Sequence, residues 1–200
     1  MLLKKDDIMS RKEIQEKRKR GYFIEAAKKI IRKEGTEKLT VKKVADLAGF
    51  APGTLYNYFS DLNALYAYCV ADFWSECKTK VDRSVKNIQD PKEKIIVSSN
   101  SYVNYFIDNQ NVFKLIFLEN FKNVPEDIRE KVYNPEVVKL LGEYLKQLAN
   151  EKNDVEKLGN IVANYIHGIL LFFIMDRAEE SREEINNLLK ENIKYILEMA

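Results

Sequence analysis

Apolar residues recur along this chain at three- and four-residue intervals, and no convincing run of alternating apolar and polar residues interrupts them. The pattern predicts an all-α protein. Phe23, Ala26, Ala27, Ile30 and Ile31, spaced i, i+3, i+4, i+7, i+8, mark a first helix, and Gly35 stands where a C-cap glycine belongs. The Lys- and Arg-rich stretch Arg11 to Arg20 lies ahead of it. Thr40 reads as the N-cap of a short helix through Val44, Ala45, Leu47 and Ala48, ended by Gly49. Pro52 opens another short helix ending near Phe59, because a first helical turn has no use for the N–H that proline lacks.

Asp61 can cap a longer helix with the apolar stripe Leu62, Leu65, Tyr66, Cys69, Phe73, Trp74, Cys77 and Val81, a length that suits a connector between domains. Pro91 starts the next, with Ile95, Ile96, Ser99, Tyr102, Val103 and Phe106 facing inward. After a break at Asp108 to Asn111 comes the aromatic-rich stretch Val112 to Phe121. Pro125 and Pro135 flank or kink a further helix, which continues through Val138, Leu141, Tyr144, Leu145 and Leu148. The last two helices read as a hairpin, Asp154 to about Glu180 and Ser181 to Ala200, the second opened by the capping-box spacing of Ser181 and Glu184.

Composition and charge add further constraints. With 200 residues, 46% of them hydrophobic, the chain can bury a real core in one or two domains. The net charge of +2 conceals an asymmetry: residues 1–60 hold 15 basic and 8 acidic side chains, and the remaining 140 hold 18 and 23. Only the first third is built for a polyanion, although on charge alone a solvated lysine-rich face is an equal reading. Cys69 and Cys77 lie two helical turns apart, too far for a local disulfide, and read as reduced core residues. The run Ile169 to Met175 is short for a membrane span and is closed by Asp176 and Arg177, and Met1 to Lys5 lacks the apolar stretch of a secretory signal, so the expected location is the cytoplasm, away from membranes.

Between Thr40 and Phe59 the chain reads TVKKVADLAGFAPGTLYNYF, two short helices about a tight turn at Gly49, which is helix-turn-helix geometry. Val44, Ala45, Leu47, Leu55 and Phe59 are expected to hold the helices together, and small Ala45 and Ala48 to let them approach. Pro52, Gly53, Thr54, Tyr56, Asn57 and Tyr58 are then left to face outward, beside Lys42 and Lys43 and free of acidic side chains, as a polyanionic groove requires.

RGYFIEAAKKIIRKEG, LTVKKVADLAG and APGTLYNYF, followed by an Asp-containing turn into a long helix, resemble the DNA-binding domain of the TetR family over roughly Arg20 to Tyr68. The resemblance implies an N-terminal three-helix domain with a helix-turn-helix, residues 1–60, and a larger helical ligand-binding and dimerisation domain, residues 61–200. It implies that Thr40 caps its helix and bonds a phosphate, and that Lys42 reaches phosphate or a base edge. Pro52, Gly53, Thr54, Tyr56 and Asn57 would lie in the major groove of double-stranded operator DNA, with Tyr58 on the backbone. Gly53 has no side chain to read with, so Thr54, Tyr56, Asn57 and Lys42 would hold most of the specificity. Tyr56 has a second reading, as a packing residue between helices.

The family's usual lysine at the start of the fourth helix is Leu62 here. Lys43, or the arm Lys17, Arg18, Lys19 and Arg20 running along the backbone or into a minor groove, would have to compensate; the alternative for the arm, ahead of minor-groove reading, is a frayed, solvated helix extension. The resemblance further implies a homodimer through the last two helices, with Ile169 to Ile174 apolar on nearly all sides, and a repressor released from a palindromic operator by a small molecule. A largely apolar ligand would sit among Tyr102, Phe106, Phe117, Phe121, Tyr144 and Tyr165, with His167 and Glu119 either orienting it or serving as satisfied structural residues. No cofactor or metal is expected. One histidine, no phosphate loop and no nucleophile with a histidine in a known context argue against an enzyme. The competing reading is a helical interaction protein of the same fold without sequence-specific DNA binding.

Overall fold

The computed structural model describes residues 10–120, 122–148 and 152–199, which form α- and 3₁₀-helices with no strand among them. The α-helices of the described residues are α1 (Arg11–Glu34), α2 (Val41–Ala48), α3 (Leu62–Val85), α4 (Pro91–Asp108), α5 (Gln110–Phe117), α6 (Arg129–Tyr133), α7 (Glu136–Lys146), α8 (Lys152–Ile174) and α9 (Arg182–Glu198). The chain divides into two compact units. One comprises the chain up to Cys69 with 120–125, the other Val70–Glu119 with Glu126–Ala200. α3 supplies its first turns to the former and the rest to the latter.

In the first unit, α1 buries the predicted row Phe23, Ala26, Ala27, Ile30 and Ile31 against α2. Arg11 to Arg20 is the continuous N-terminal part of α1, started by a capping box in which Ser10 Oγ accepts from Glu13 N and the Glu13 carboxylate accepts from Ser10 N. This Ser-x-x-Glu spacing is legible in the sequence and was the signal for the true start of the helix. Thr40 caps α2, its Oγ accepting from Lys43 N at 3.2 Å. Gly49 ends it at φ 79°, ψ 31°, with Phe50 N donating to Ala45 O and Gly49 N to Asp46 O, the two bonds of a Schellman motif.

Two expectations for this unit change. Pro52–Asn57 is a 3₁₀ helix, its i→i+3 bonds running from Thr54 N to Ala51 O and from Tyr58 N to Leu55 O. Six residues that begin Pro-Gly are too short and too poor in helix propensity to hold an α-helix. Leu47 is 53% exposed, while Val44, Ala45, Leu55 and Phe59 form the packed joint. Gly35, at φ 84°, ψ 175°, occupies a backbone region that is essentially closed to other residues. Gly35→Ala is therefore expected to destabilise this unit by about 1–3 kcal/mol, read as a lower urea midpoint with an unchanged slope.

In the second unit α4 is central, packing on α7, α8 and α9. Asp90 Oδ2 caps it by accepting from Glu93 N. An aromatic cluster of Trp74, Tyr102, Phe106, Phe113 and Phe117 joins α3, α4 and α5 with ring centroids 4.8–6.2 Å apart. Asp108 ties α4 to α3 and α9, accepting from Lys80 at 3.0 Å and Arg182 at 2.7 Å. Burial raises the Asp108 carboxyl, but the hydrogen bonds from Arg182 and Lys80 outweigh it and hold the group below its usual range. Cys69 and Cys77 are free and buried, and burial pushes the Cys77 thiol up to about 12.

α8 stops at Ile174, short of the expected Glu180, because Asp176 adopts φ 53° and Arg177 N and Asp176 N turn back onto Phe172 O and Phe173 O. An aspartate in the left-handed position is a weaker stop signal than glycine. α3 runs one turn past Val81, to Val85. By length and composition α8 reaches a membrane span: Asp154–Ile174 has a mean hydropathy of 1.4, against the expectation of no such segment. Its row Leu158, Val162, Ile166, Leu170 and Ile174 is instead packed within the unit, and α9 buries Ile185, Leu189, Ile193 and Leu197. The capping box of Ser181 and Glu184 starts α9 as expected.

Candidate functional site

The joint of α2 and the 3₁₀ helix presents one continuous polar surface. Thr40, Lys42, Pro52, Gly53, Tyr56 and Asn57 are exposed, and Lys43, Thr54 and Tyr58 are half-buried. Leu55, fully buried and bonded through its carbonyl to Tyr58 N and Phe59 N, anchors this short helix from below. Tyr56 is 58% exposed, so its ring stands outside the packing between helices. A Cβ added to Gly53 would meet nothing within 4 Å, which means the glycine leaves open space on the outward face.

The basic groups differ in availability. Lys43 pairs with Glu34, and this hydrogen bond lowers the Glu34 carboxyl. Arg20 lies over the Tyr68 ring at 4.7 Å from its centroid and donates to the Tyr68 hydroxyl at 3.1 Å. Lys17, Arg18 and Lys19 are exposed on α1. Leu62 is half-buried at the first residue of α3 and offers no charge there. Tyr58 is held through its ring, 5.8 Å from that of Phe23.

The second unit contains a nearly wholly apolar cavity of about 100 Å³, lined from α3, α4, α7 and α8. Of the aromatic residues singled out in the sequence, Tyr102 lines it, as does His167, and the Tyr102 hydroxyl lies 3.0 Å from His167 Nε2. Phe106 is fully buried in the neighbouring aromatic cluster, and Phe117 sits 4.7 Å from the His167 ring at its edge. Tyr144 is buried with Lys94 over its ring at 5.5 Å. Tyr165 faces the groove between α8 and α9, its hydroxyl bonded to Asn192 and Leu188 O. Glu119 is exposed beyond α5, and Phe121 lies outside the described residues.

Ser99 on the cavity wall was expected only to face inward. It is 2% exposed, and its hydroxyl has no hydrogen-bond partner among the described residues, a state that destabilises by about 1–3 kcal/mol. Nothing in a sequence distinguishes it from Ser98, which spends its hydroxyl on Ile95 O.

Burial lowers the pKa of His167 below its ordinary 6.5 and keeps the ring neutral. The unfolded chain therefore takes up a proton near pH 6.5 that the folded chain refuses, so stability should fall as pH drops below 6.5 until the folded ring also titrates. The slope is at most about 1.4 kcal/mol per pH unit. Denaturation at pH 7.5 and pH 5.5 should show this loss in the native protein and a smaller one in His167→Gln; equal losses would remove His167 as its source.

Residues 23–69 match the model of the TetR family of bacterial regulatory proteins. No curated protein matches the chain. Among solved structures, a Rhodococcus sp. RHA1 protein of unknown function is similar with a TM-score of 0.74 at 12% identity, over 96% of this chain and 98% of that one. A TetR transcriptional regulator from the same organism reaches 0.64 at 17% identity, over 93% and 99%. FadR of Thermus thermophilus, a TetR-family repressor solved with lauroyl-CoA, reaches 0.65 at 19% identity, over 90% and 93%. At these identities the likeness is one of fold.

Proposed function

We propose that this chain, whose residues 23–69 match the TetR-family model and which shares the fold of solved TetR-family regulators, is a cytoplasmic, homodimeric transcriptional regulator of that family, a repressor released from a palindromic operator by a small molecule. The observation that carries the reading is the exposed, acid-free surface of Pro52, Gly53, Tyr56 and Asn57 beside Thr40 and Lys42. Helix N-termini and hydroxyls position phosphates, and the side chains beyond them read base edges. Thr54, Tyr56, Asn57 and Lys42 are the specificity residues of this reading; Thr40, Lys43 and Tyr58 hold the backbone.

Two seams support the dimer. On α8, Ile161, Tyr165, Gly168 and Phe172 follow i, i+4, i+7, i+11, with Met175 next in register just past its end, and on α9, Leu188 and Tyr195 lie seven residues apart, with Met199 next in register at its C-cap. Phe172 and Tyr195 are about 60% exposed and border the face opposite the buried rows. Spacing of this kind suits helix-on-helix packing with a second copy. The cavity of the second unit is the proposed sensor. α3 runs unbroken through both units, so a ligand that favours one setting of its second half acts on the first through the helix itself.

The test is selection of bound duplexes from a random DNA pool, followed by titration of the best one at two salt concentrations. The expected result is a palindrome with half-sites separated by about one helical turn or more, and an affinity that falls steeply with salt. Recovery of no sequence, with weak binding that fades as salt rises, would favour the interaction protein of the same fold.

A further inference from the structure

We infer that the N-terminal extension of α1 is a second DNA contact, in which one cationic face of the helix follows the phosphate backbone beside the groove that takes Pro52–Asn57. The inference deepens the regulator reading above and rests on it for its partner, a DNA duplex.

The buried residues of α1 begin at Phe23, and every residue from Arg11 to Lys19 is exposed. Arg11 to Arg20 adds about 15 Å of helix beyond the packed part. A segment this short is marginal as a helix in water when it stands alone. Here it is held at one end by its continuation into the packed part and at the other by the Ser10–Glu13 capping box. The exposed turns add nothing to the core, so their side chains are available to a partner.

The pattern of charge sets the class of partner. Arg11, Lys12, Gln15, Arg18, Lys19 and Tyr22 follow i, i+1, i+4, i+7, i+8, i+11 and so share one face. That face holds four cations and no carboxylate, because Glu13 and Glu16 fall outside this spacing and Glu13 is engaged in the capping box. Its inner end meets the reading helix. The Tyr22 ring lies 6.3 Å from that of Phe50, and the adjacent Phe23 ring lies 5.0 Å from Phe50 and 5.8 Å from Tyr58. Phe50 and Tyr58 bracket Pro52–Asn57, so the cationic face starts where that short helix is anchored. Each strand of a duplex carries a phosphate about every 3.4 Å along the axis, and the extension is long enough to follow about four of them. The reading surface itself is poor in available charge, since Lys43 beside it is paired with Glu34 and Leu62 is neutral.

Binding of the full chain is measured across a salt series with a fluorescent duplex of arbitrary sequence and with the duplex recovered by the selection. Lys19→Ala is expected to reduce the steepness of log affinity against log salt by about one per chain on both duplexes, and Arg18→Ala with Lys19→Ala by about two. Lys17→Ala removes the same charge from the far side of the same helix and should leave the steepness unchanged. All three positions are exposed, so circular dichroism should show the native helix content in every variant. On the selected duplex, hydroxyl-radical footprints of the double variant should lose protection beside the half-sites and keep it within them. Native steepness in the double variant would overturn the inference, as would equal losses in Lys17→Ala and Lys19→Ala, which net charge alone produces. A selection that recovers no sequence, with the Lys19→Ala loss intact on the arbitrary duplex, would remove specific reading and keep this contact. No binding of the native chain to either duplex would remove both.

Discussion

Phe172→Glu is expected to convert the protein from a dimer to a folded monomer and to weaken operator binding by a factor of about 10²–10⁴, the usual benefit of engaging two linked half-sites. Phe172 lies on the α8 seam, near the end of the helix, and is 60% exposed in the single chain, so its substitution removes nothing from the unit's own core. In the proposed isologous contact a carboxylate there must be desolvated against an apolar seam, and the two-fold repeats that cost on both subunits. Phe172→Leu keeps the seam apolar and should remain dimeric. Sedimentation or light scattering, with circular dichroism to confirm unchanged helix content, reads the result. A Phe172→Glu protein that stays dimeric would move the subunit contact off α8. The same measurement bears on the hydropathy of Asp154–Ile174, since a native dimer in detergent-free buffer accounts for that apolar face without a membrane.

The second large effect is expected at the reading surface. Tyr56→Ala and Thr54→Ala should each weaken specific operator binding by about 1–3 kcal/mol, or roughly 10- to 100-fold, while changing nonspecific binding little. Tyr56 is exposed and Thr54 is half-buried, and neither side chain belongs to the packed joint of Val44, Ala45, Leu55 and Phe59, so melting temperatures should move little. Tyr56→Phe separates the hydroxyl from the ring: full affinity in that variant would leave the ring as the contributor. Lys42→Ala should act differently, weakening all sequences alike and reducing the salt slope by about one. Unchanged operator affinity in both Tyr56→Ala and Thr54→Ala would remove the recognition role from Pro52–Asn57.

Local chemistry was the most legible part of the fold. Thr40, Asp61, Ser181 with Glu184, and Gly49 act on backbone groups within a few residues, and all four do so where the spacing places them. The Ser10–Glu13 box is equally local and could have extended α1 to Arg11. Legibility failed where two signals competed or the signal was weak. Pro-Gly at 52–53 permits a first turn yet disfavours an α-helix, and Asp176 ends α8 without a glycine. Periodicity also places Leu47 on the apolar side of a short helix, although only one face of α2 meets α1 and Leu47 lies off it.

The cavity depends on arrangements that periodicity does not encode. Aromatic content picked out Tyr102 with Phe106, Tyr144 and Tyr165, but an aromatic ring on an inward face can fill a core, close a cluster or line a void, and these four take different roles. By itself the sequence determined the helical class, most of the caps, the helix-turn-helix and its outward residues, because each rests on spacings of a few residues and on the intrinsic preferences of Gly, Pro, Thr and Asp. Tertiary structure alone decided that Lys43 is paired with Glu34, that Tyr102 meets His167 across 65 residues of chain, and that the Ser99 hydroxyl is buried without a partner among the described residues. Those outcomes follow from which helices pack side by side and from how a close-packed interior fills around them.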